Sequence, residues 1–166
     1  MPEKNLFEST VASLPKSDYR MGVWLAMLGC FTSVERTLRH RFSQVFSASL
    51  PRYDVLTALV QFPGGLTMGQ LASKLMVSKG NITGVVSRLQ NAKYVSQARS
   101  SADKRVQLVT VTVAGQRLWE EMHTEYRSVI DELFSQLSQA QTKALTRHLV
   151  DAQEQIDGAL RRREQA

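Results

Sequence analysis

Apolar residues recur at helical spacing through Met21, Leu25, Leu28, Phe31, Leu38, Phe42 and Val45. This pattern predicts one helix from about Asp18, its expected N-cap, to about Ser47. About thirty unbroken residues exceed the usual ~8–20 of a globular helix, and helices of that length often pack against a second subunit. The apolar run Met21–Phe31 follows Lys16 and Arg20 and so faintly imitates a signal peptide. It starts late, falls short of the ~20 residues of a membrane span, and continues directly into the charged stretch Glu35–Arg41. It is expected to be the buried half of the long helix, in a cytoplasmic protein that no membrane holds.

Leu50-Pro51 opens a second helix, with proline at a permitted early position and Val55, Leu56, Leu59, Val60 and Phe62 as its buried stripe. Pro63-Gly64-Gly65 ends it. Thr67 and Gln70 form a capping box for a third helix, whose Leu71, Ala72 and Leu75 face inward. Ser78 is the expected N-cap of a fourth helix running to about Asn91. Its core face is Ile82, Val85, Val86 and Leu89. Its polar face is Lys79, Gly80, Asn81, Thr83, Gly84, Ser87 and Arg88. Each glycine there costs about 1 kcal/mol of helix propensity relative to alanine. Close approach to something large would justify that cost; a merely weak helix is the other reading.

From Tyr94 to Arg99, and again from Arg105 to Val111, residues alternate and are rich in β-branched side chains. They predict two antiparallel strands joined by Ser100–Lys104. Thr112 caps a fifth helix lined by Leu118, Met122, Val129, Ile130, Leu133 and Leu137. Ser138 and Gln141 open a sixth that carries Leu145, Leu149, Ile156 and Leu160.

Charge is concentrated on the middle of this plan. Lys74, Lys79, Arg88, Lys93, Arg99, Lys104 and Arg105 stand against Asp103 alone, so the stretch carries +6, equal to the formal net charge of all 166 residues. Basic charge confined to one segment is the footprint of a phosphate-binding face, although charge runs are also common as surface decoration. A length of 166 residues suits one domain with a real core. Cys30 is the only cysteine, so neither an intrachain disulfide nor a thiolate zinc cage can form. His40, His123 and His148 stand far apart without ligand spacing. No phosphate-cradling glycine loop and no nucleophile–base pairing is visible, so an enzyme, a metal centre and a bound cofactor are all unexpected.

The expected fold is therefore mainly α: a winged helix-turn-helix with long terminal helices. Residues 1–17 would be a flexible arm, 50–112 the winged helix-turn-helix lobe, and 18–49 with 113–163 a dimerisation region. The fourth helix would enter a DNA major groove with Ser78, Lys79, Asn81, Thr83, Ser87 and Arg88, and the wing would bring Lys104 and Arg105 to the adjacent minor groove. Asn81 suits an adenine edge and Arg88 a guanine edge. Asp103 would orient the Arg105 guanidinium; a turn-stabilising aspartate beside a solvated arginine is the alternative.

Three stretches in order resemble the MarR family of bacterial transcription factors. They are Leu50-Pro51-Arg52-Tyr53-Asp54-Val55-Leu56; Leu71-Ala72 with Val77-Ser78 and Val85–Leu89; and Asp103-Lys104-Arg105 with Leu108–Thr112 ahead of Gly115. Each is weak alone; their order and spacing carry the likeness, which covers nearly the whole chain. The resemblance implies a homodimer joined by its terminal helices and bound to palindromic double-stranded operator DNA. It also implies a small aromatic or acyl-type effector that releases a repressor. Trp24, Met27, Phe31 and Tyr53, with Arg20 and Arg52 able to meet an anion, are the candidate effector contacts; plain core and dimer packing is the competing reading. Other members of the family sense oxidants through a cysteine of the first helix. Cys30 lies several residues away from that position and is expected to be a buried small hydrophobe. A winged-helix protein-interaction module without DNA binding is the alternative function. It should lack both the basic wing tip and the polar helix face that this chain has.

Overall fold

The computed structural model describes residues 10, 13, 15, 18–99 and 105–165. The rest of the expected arm 1–17, and the hairpin tip with Asp103 and Lys104, lie outside the described residues. Among the described residues, six helices and two strands are bounded in full, in the order α1 (Tyr19–Phe46), α2 (Leu50–Gln61), α3 (Met68–Lys74), α4 (Lys79–Asn91), β1 (Val95–Arg99), β2 (Gln107–Val111), α5 (Val113–Phe134) and α6 (Gln139–Glu164). The chain divides into two compact units, 1–129 and 130–166.

The first unit contains the winged helix-turn-helix. Thr67 Oγ1 accepts from the Gln70 N–H at 3.2 Å, while Gln70 Oε1 accepts from the Thr67 N–H at 2.9 Å, which closes the capping box at the start of α3. Met76 then takes the left-handed conformation (φ 53°), and the Val77 N–H reaches back to the Ala72 carbonyl at 3.0 Å. That closure turns the chain sharply into α4. The same device ends α4: Lys93 has φ 65°, and the Tyr94 N–H donates to the Leu89 carbonyl at 2.9 Å.

β1 and β2 pair antiparallel, with Val95 opposite Val111 and Arg99 opposite Gln107. Two expected boundaries change. Tyr94 belongs to the turn that closes α4, and Arg105 stands in a turn ahead of β2. A further pairing lies beyond the two expected strands. Leu66 and Val109 exchange backbone hydrogen bonds of 3.0 and 2.8 Å, pinning the loop before α3 to the sheet. Gly65 makes this approach possible at φ 85°, because a Cβ there would stand 2.8 Å from Thr110 Cγ2 and 2.9 Å from the Val109 carbonyl oxygen.

The core of this unit is formed by Phe42, Val55, Leu56, Leu59, Leu71, Val86, Leu89, Val109, Met122 and Val129. Each such side chain contributes about 1.5–3 kcal/mol by leaving water. Thr112 links wing to helix: its hydroxyl lies 2.8 Å from the Lys93 carbonyl oxygen and accepts from the Gly115 N–H at 3.1 Å, as an N-cap of α5 should.

Three burial expectations need correction. Burial on α1 is confined to Gly29, Leu38 and Phe42, whereas Met21, Val23, Trp24 and Phe31 are exposed. Its N-terminal half is thus an open apolar face and not a buried one. Cys30 is exposed for the same reason. Phe62 is exposed past the end of α2, with the Lys74 ammonium 3.9 Å above its ring.

In the second unit, Ser138 and Gln141 form the expected capping box at the start of α6. No residue of α6 is buried, and Leu145, Leu149, Val150, Ile156 and Leu160 are all exposed. These side chains form an exposed apolar stripe along the helix. Among the described residues, no helix is long and apolar enough to cross a membrane.

Candidate nucleic-acid interface

One face of α4 is fixed and the other is free. Ile82, Val85, Val86 and Leu89 are buried, so the helix cannot rotate about its axis without exposing them. On the opposite face Lys79, Gly80, Asn81, Thr83, Gly84, Ser87 and Arg88 are all exposed, as is the N-cap Ser78. The structure thus brings together the six side chains expected on this face. Two of them already make local bonds. Ser78 Oγ accepts from the Asn81 N–H at 3.4 Å, and the Thr83 hydroxyl donates to the Lys79 carbonyl at 2.8 Å.

Nothing lies within 4 Å of a Cβ placed on Gly80, and one on Gly84 would meet only Arg88 Nη2, at 3.8 Å. Packing inside the chain therefore does not require either glycine. Among the described residues the ion pairs are Arg39–Glu35 (2.6 Å) and Arg41–Glu125 (2.9 Å), so no carboxylate neutralises Lys79 or Arg88. The exposed end of α4 combines unmatched positive charge with the free N–H groups of a helix start, an arrangement that attracts phosphate. Arg105 is exposed at the base of the wing. Its expected pairing with Asp103 falls on a residue outside those described.

Behind this face, a ladder of rings joins α2 to α5. Tyr53 stacks on Tyr126 with centroids 4.8 Å apart, and His123 stacks on Trp119 at 4.8 Å. The Tyr53 hydroxyl lies 2.8 Å from His123 Nδ1, and Trp119 Nε1 donates to Thr57 Oγ1 at 3.0 Å. Burial raises the Tyr53 and Tyr126 phenols above their ordinary range, so both keep their protons at neutral pH. Asp54, the next residue on α2, has its carboxyl pushed up to about 6, first by burial and then by the Glu35 carboxylate, with Arg39 opposing.

Asp54, Lys74 and Leu75 lie in the walls of two cavities. One, of about 490 Å³, is also lined by Tyr53, Thr57 and Tyr126; the other, of about 610 Å³, by Asn81, Val85 and Arg88. The candidate effector residues divide between places. Tyr53 is buried in the ring ladder. Arg52 lines a third cavity at the corner of α1 and α2. Arg20, Trp24, Met27 and Phe31 lie along α1 and line none of the three. Sequence reasoning missed Asp54, Thr57, Trp119, His123 and Tyr126. The spacing of Trp119, His123 and Tyr126 at i, i+4 and i+7 was the available signal, since it places all three on one face of a helix.

Residues 49–106 match the model of the MarR family, the segment that holds α2 through the wing. A stretch of 56 residues is 39% identical to the transcriptional activatory protein BadR of Rhodopseudomonas palustris, covering 34% of this chain and about a third (32%) of that relative's length. The fold superposes on CouR of Rhodococcus jostii bound to p-coumaroyl-CoA, with a TM-score of 0.72 at 17% identity, over 87% of this chain and 95% of that one. It also superposes on the MepR–DNA complex of S. aureus, with a TM-score of 0.67 at 16% identity, over 80% of this chain and 94% of that one. These two structures establish the shared fold. The segment that holds α2 through the wing is thus similar to the MarR family, and the fold of the chain is that of these winged helix-turn-helix structures.

Proposed function

We propose that this chain is a cytoplasmic, homodimeric, sequence-specific DNA-binding transcriptional regulator. In this reading it is a repressor that a small aromatic or acyl-type ligand releases from a palindromic operator. The observation that carries the DNA-binding part is the α4 face: exposed, polar and cationic, with two glycines that internal packing does not use. MepR, which shares the fold, has been solved on DNA. In the proposed complex α4 lies in the major groove, with Ser78, Lys79, Asn81, Thr83, Ser87 and Arg88 toward the bases and phosphates. Arg105 and Lys104 of the wing follow the minor groove, with Asp103 orienting Arg105.

Dimerisation is supported by the exposed apolar side chains of α1 and α6, the elements that 18–49 and 113–163 contribute to the proposed dimerisation region. Two copies about a twofold would place two α4 helices on half-sites one helical turn, ~34 Å, apart. The effector part is supported by the cavities between α2 and the reading helix and by CouR, whose bound ligand is an acyl thioester. Arg20, Trp24, Met27, Phe31, Arg52 and Tyr53 remain its proposed contacts.

The test is DNase footprinting on the DNA around the chain's own gene, with light scattering of the same sample. Expected are two protected half-sites and a dimer mass. Absence of any sequence-specific protection at micromolar protein would overturn the DNA-binding part, and a monomer mass the dimer part.

A further inference from the structure

A cavity of about 590 Å³ lies where α1 ends and α2 begins, and it is lined by Arg39, Arg52 and Arg88 together with Ser43, Ser47 and Ser49. No carboxylate lines it. Arg39 is paired with Glu35 from outside the cavity, whereas no carboxylate among the described residues pairs with Arg52 or Arg88. The Ser49 side chain occupies the N-cap position of α2 but makes no capping bond, so its hydroxyl is available. The three arginines come from three different helices. Converging like charges cost energy in an empty site, and an anion placed between them removes that cost.

The chemistry of the wall selects the anion. Guanidinium forks bind oxyanions in a bidentate, planar manner, and serine hydroxyls add single donors. A carboxylate has two oxygens to offer the unpaired forks of Arg52 and Arg88, the remaining donors of Arg39 beyond its Glu35 pair, and the serine hydroxyls. A phosphate monoester has three terminal oxygens and nearly two charges, which this donor set can use in full. The volume exceeds that of a phosphate group alone, leaving room for part of the molecule that carries it.

We propose that this corner is a binding site for a phosphate-bearing small molecule, and that its occupation opposes DNA binding by engaging Arg88. Arg88 lines this cavity and also belongs to the exposed face of α4, so one guanidinium serves both surfaces. A ligand that holds it in the cavity disfavours the DNA-bound state, and coupling of this kind is reciprocal. The coupling rests on the DNA-binding reading above; binding of the phosphate group itself does not.

The test uses the full chain and inorganic pyrophosphate, titrated by calorimetry at constant ionic strength, with circular dichroism confirming that every variant is folded. Saturable binding is expected, weakened about tenfold or more in Arg52→Ala and in Arg39→Ala, as loss of a charged hydrogen-bond partner predicts. In a DNA-binding assay, pyrophosphate should release the wild-type protein more than sodium chloride of equal ionic strength does, and Arg52→Ala should resist that release while binding DNA normally. No saturable binding up to ~10 mM, or binding indifferent to both substitutions, would overturn the site. Weaker DNA binding by Arg52→Ala with a flatter salt dependence would overturn it too, by assigning the corner to the DNA backbone. If pyrophosphate binds as expected but leaves DNA affinity unchanged, the coupling is overturned. If the chain binds no DNA at all, calorimetry still decides the site.

Discussion

The Tyr53 hydroxyl lies 2.8 Å from His123 Nδ1, and this contact joins α2 to α5 across seventy residues of sequence. For Nδ1 to accept, the imidazole must be neutral with its proton on Nε2; a charged imidazolium would reverse the donor. Tyr53 is buried, and its ring is held by Tyr126 on one side and by the edge of Phe42, 5.5 Å away. Tyr53→Phe keeps the rings and deletes the hydroxyl. It should lower stability by about 1 kcal/mol, the net value of an ordinary hydrogen bond. Urea unfolding of the two proteins side by side measures this. An unchanged midpoint would mean that water replaces the contact without loss.

Asp54 gives stability a pH dependence of known sign. Burial and the Glu35 carboxylate push its folded carboxyl up to about 6, above the ordinary aspartate value of 3.8. The folded state therefore holds this proton more tightly than the unfolded chain does. Asp54's favourable contribution is complete below the unfolded value and is lost as pH rises through about 6. Asp54→Asn should raise the melting temperature at pH 7 and change it much less at pH 4. After discounting for solvent screening of this half-buried group, the gain at pH 7 is about 1 kcal/mol. Equal gains at both pH values would place the cause in packing.

Gly115 is fixed by what lies against it. A Cβ there would collide with the Tyr94 carbonyl, and would lie 2.9 Å from Val111 Cγ2. That carbonyl already accepts from the Thr112 N–H at 3.0 Å, so it cannot move freely. Gly115→Ala should destabilise the fold by about 3 kcal/mol or more, as overpacking against backbone does. A loss below 1 kcal/mol in thermal or urea unfolding would show that α5 can shift at little cost.

The local signals in the sequence were those with a short range. Thr67 with Gln70, and Ser138 with Gln141, announce helix starts because cap and partner are three residues apart. The two faces of α4 follow from its period alone. What stayed hidden was contact between distant segments. Leu66 pairs with Val109 only because Gly65 lets the backbone close in, and a lone apolar residue before Thr67 carries no strand pattern. The exposure of Trp24 and Phe31 was equally invisible, because an apolar helical stripe reads the same whether its own chain or another surface covers it. The effector set was drawn from Arg20, Trp24, Met27 and Phe31 of α1 with Arg52 and Tyr53 of α2, and of these Arg52 and Tyr53 line cavities. Cavities are shaped by packing between elements, on which spacing within one element is silent.

On α4, Asn81 and Arg88 test the proposed reading of base edges against simple phosphate clamping. Both are exposed on the free face, and neither supports the core. Asn81→Ala and Arg88→Ala should each weaken specific binding by ~1–3 kcal/mol per lost base contact, with relaxed preference at one position of each half-site. Lys79→Ala should instead weaken all sequences alike. Competition binding with single-base operator variants distinguishes the two patterns. Uniform weakening by Asn81→Ala would assign it to phosphate.

Arg105 tests whether the wing takes part. It is exposed at the turn leading into β2, and the Leu66–Val109 bridge ties that strand to the loop before α3. In the proposed complex a cation carried there meets the DNA flank beside the groove that α4 occupies. Removing it should cost affinity and also release one fewer counterion, so log affinity against log salt should flatten by about one unit in Arg105→Ala. Arg105→Lys keeps the charge and loses the fork. It should therefore retain the salt slope but not the full affinity, because a guanidinium fits a narrow groove better than an ammonium does. Binding isotherms at four or five salt concentrations for the three proteins give both quantities. An Arg105→Ala protein with wild-type affinity and slope would mean that the wing stands clear of the DNA and that α4 binds alone.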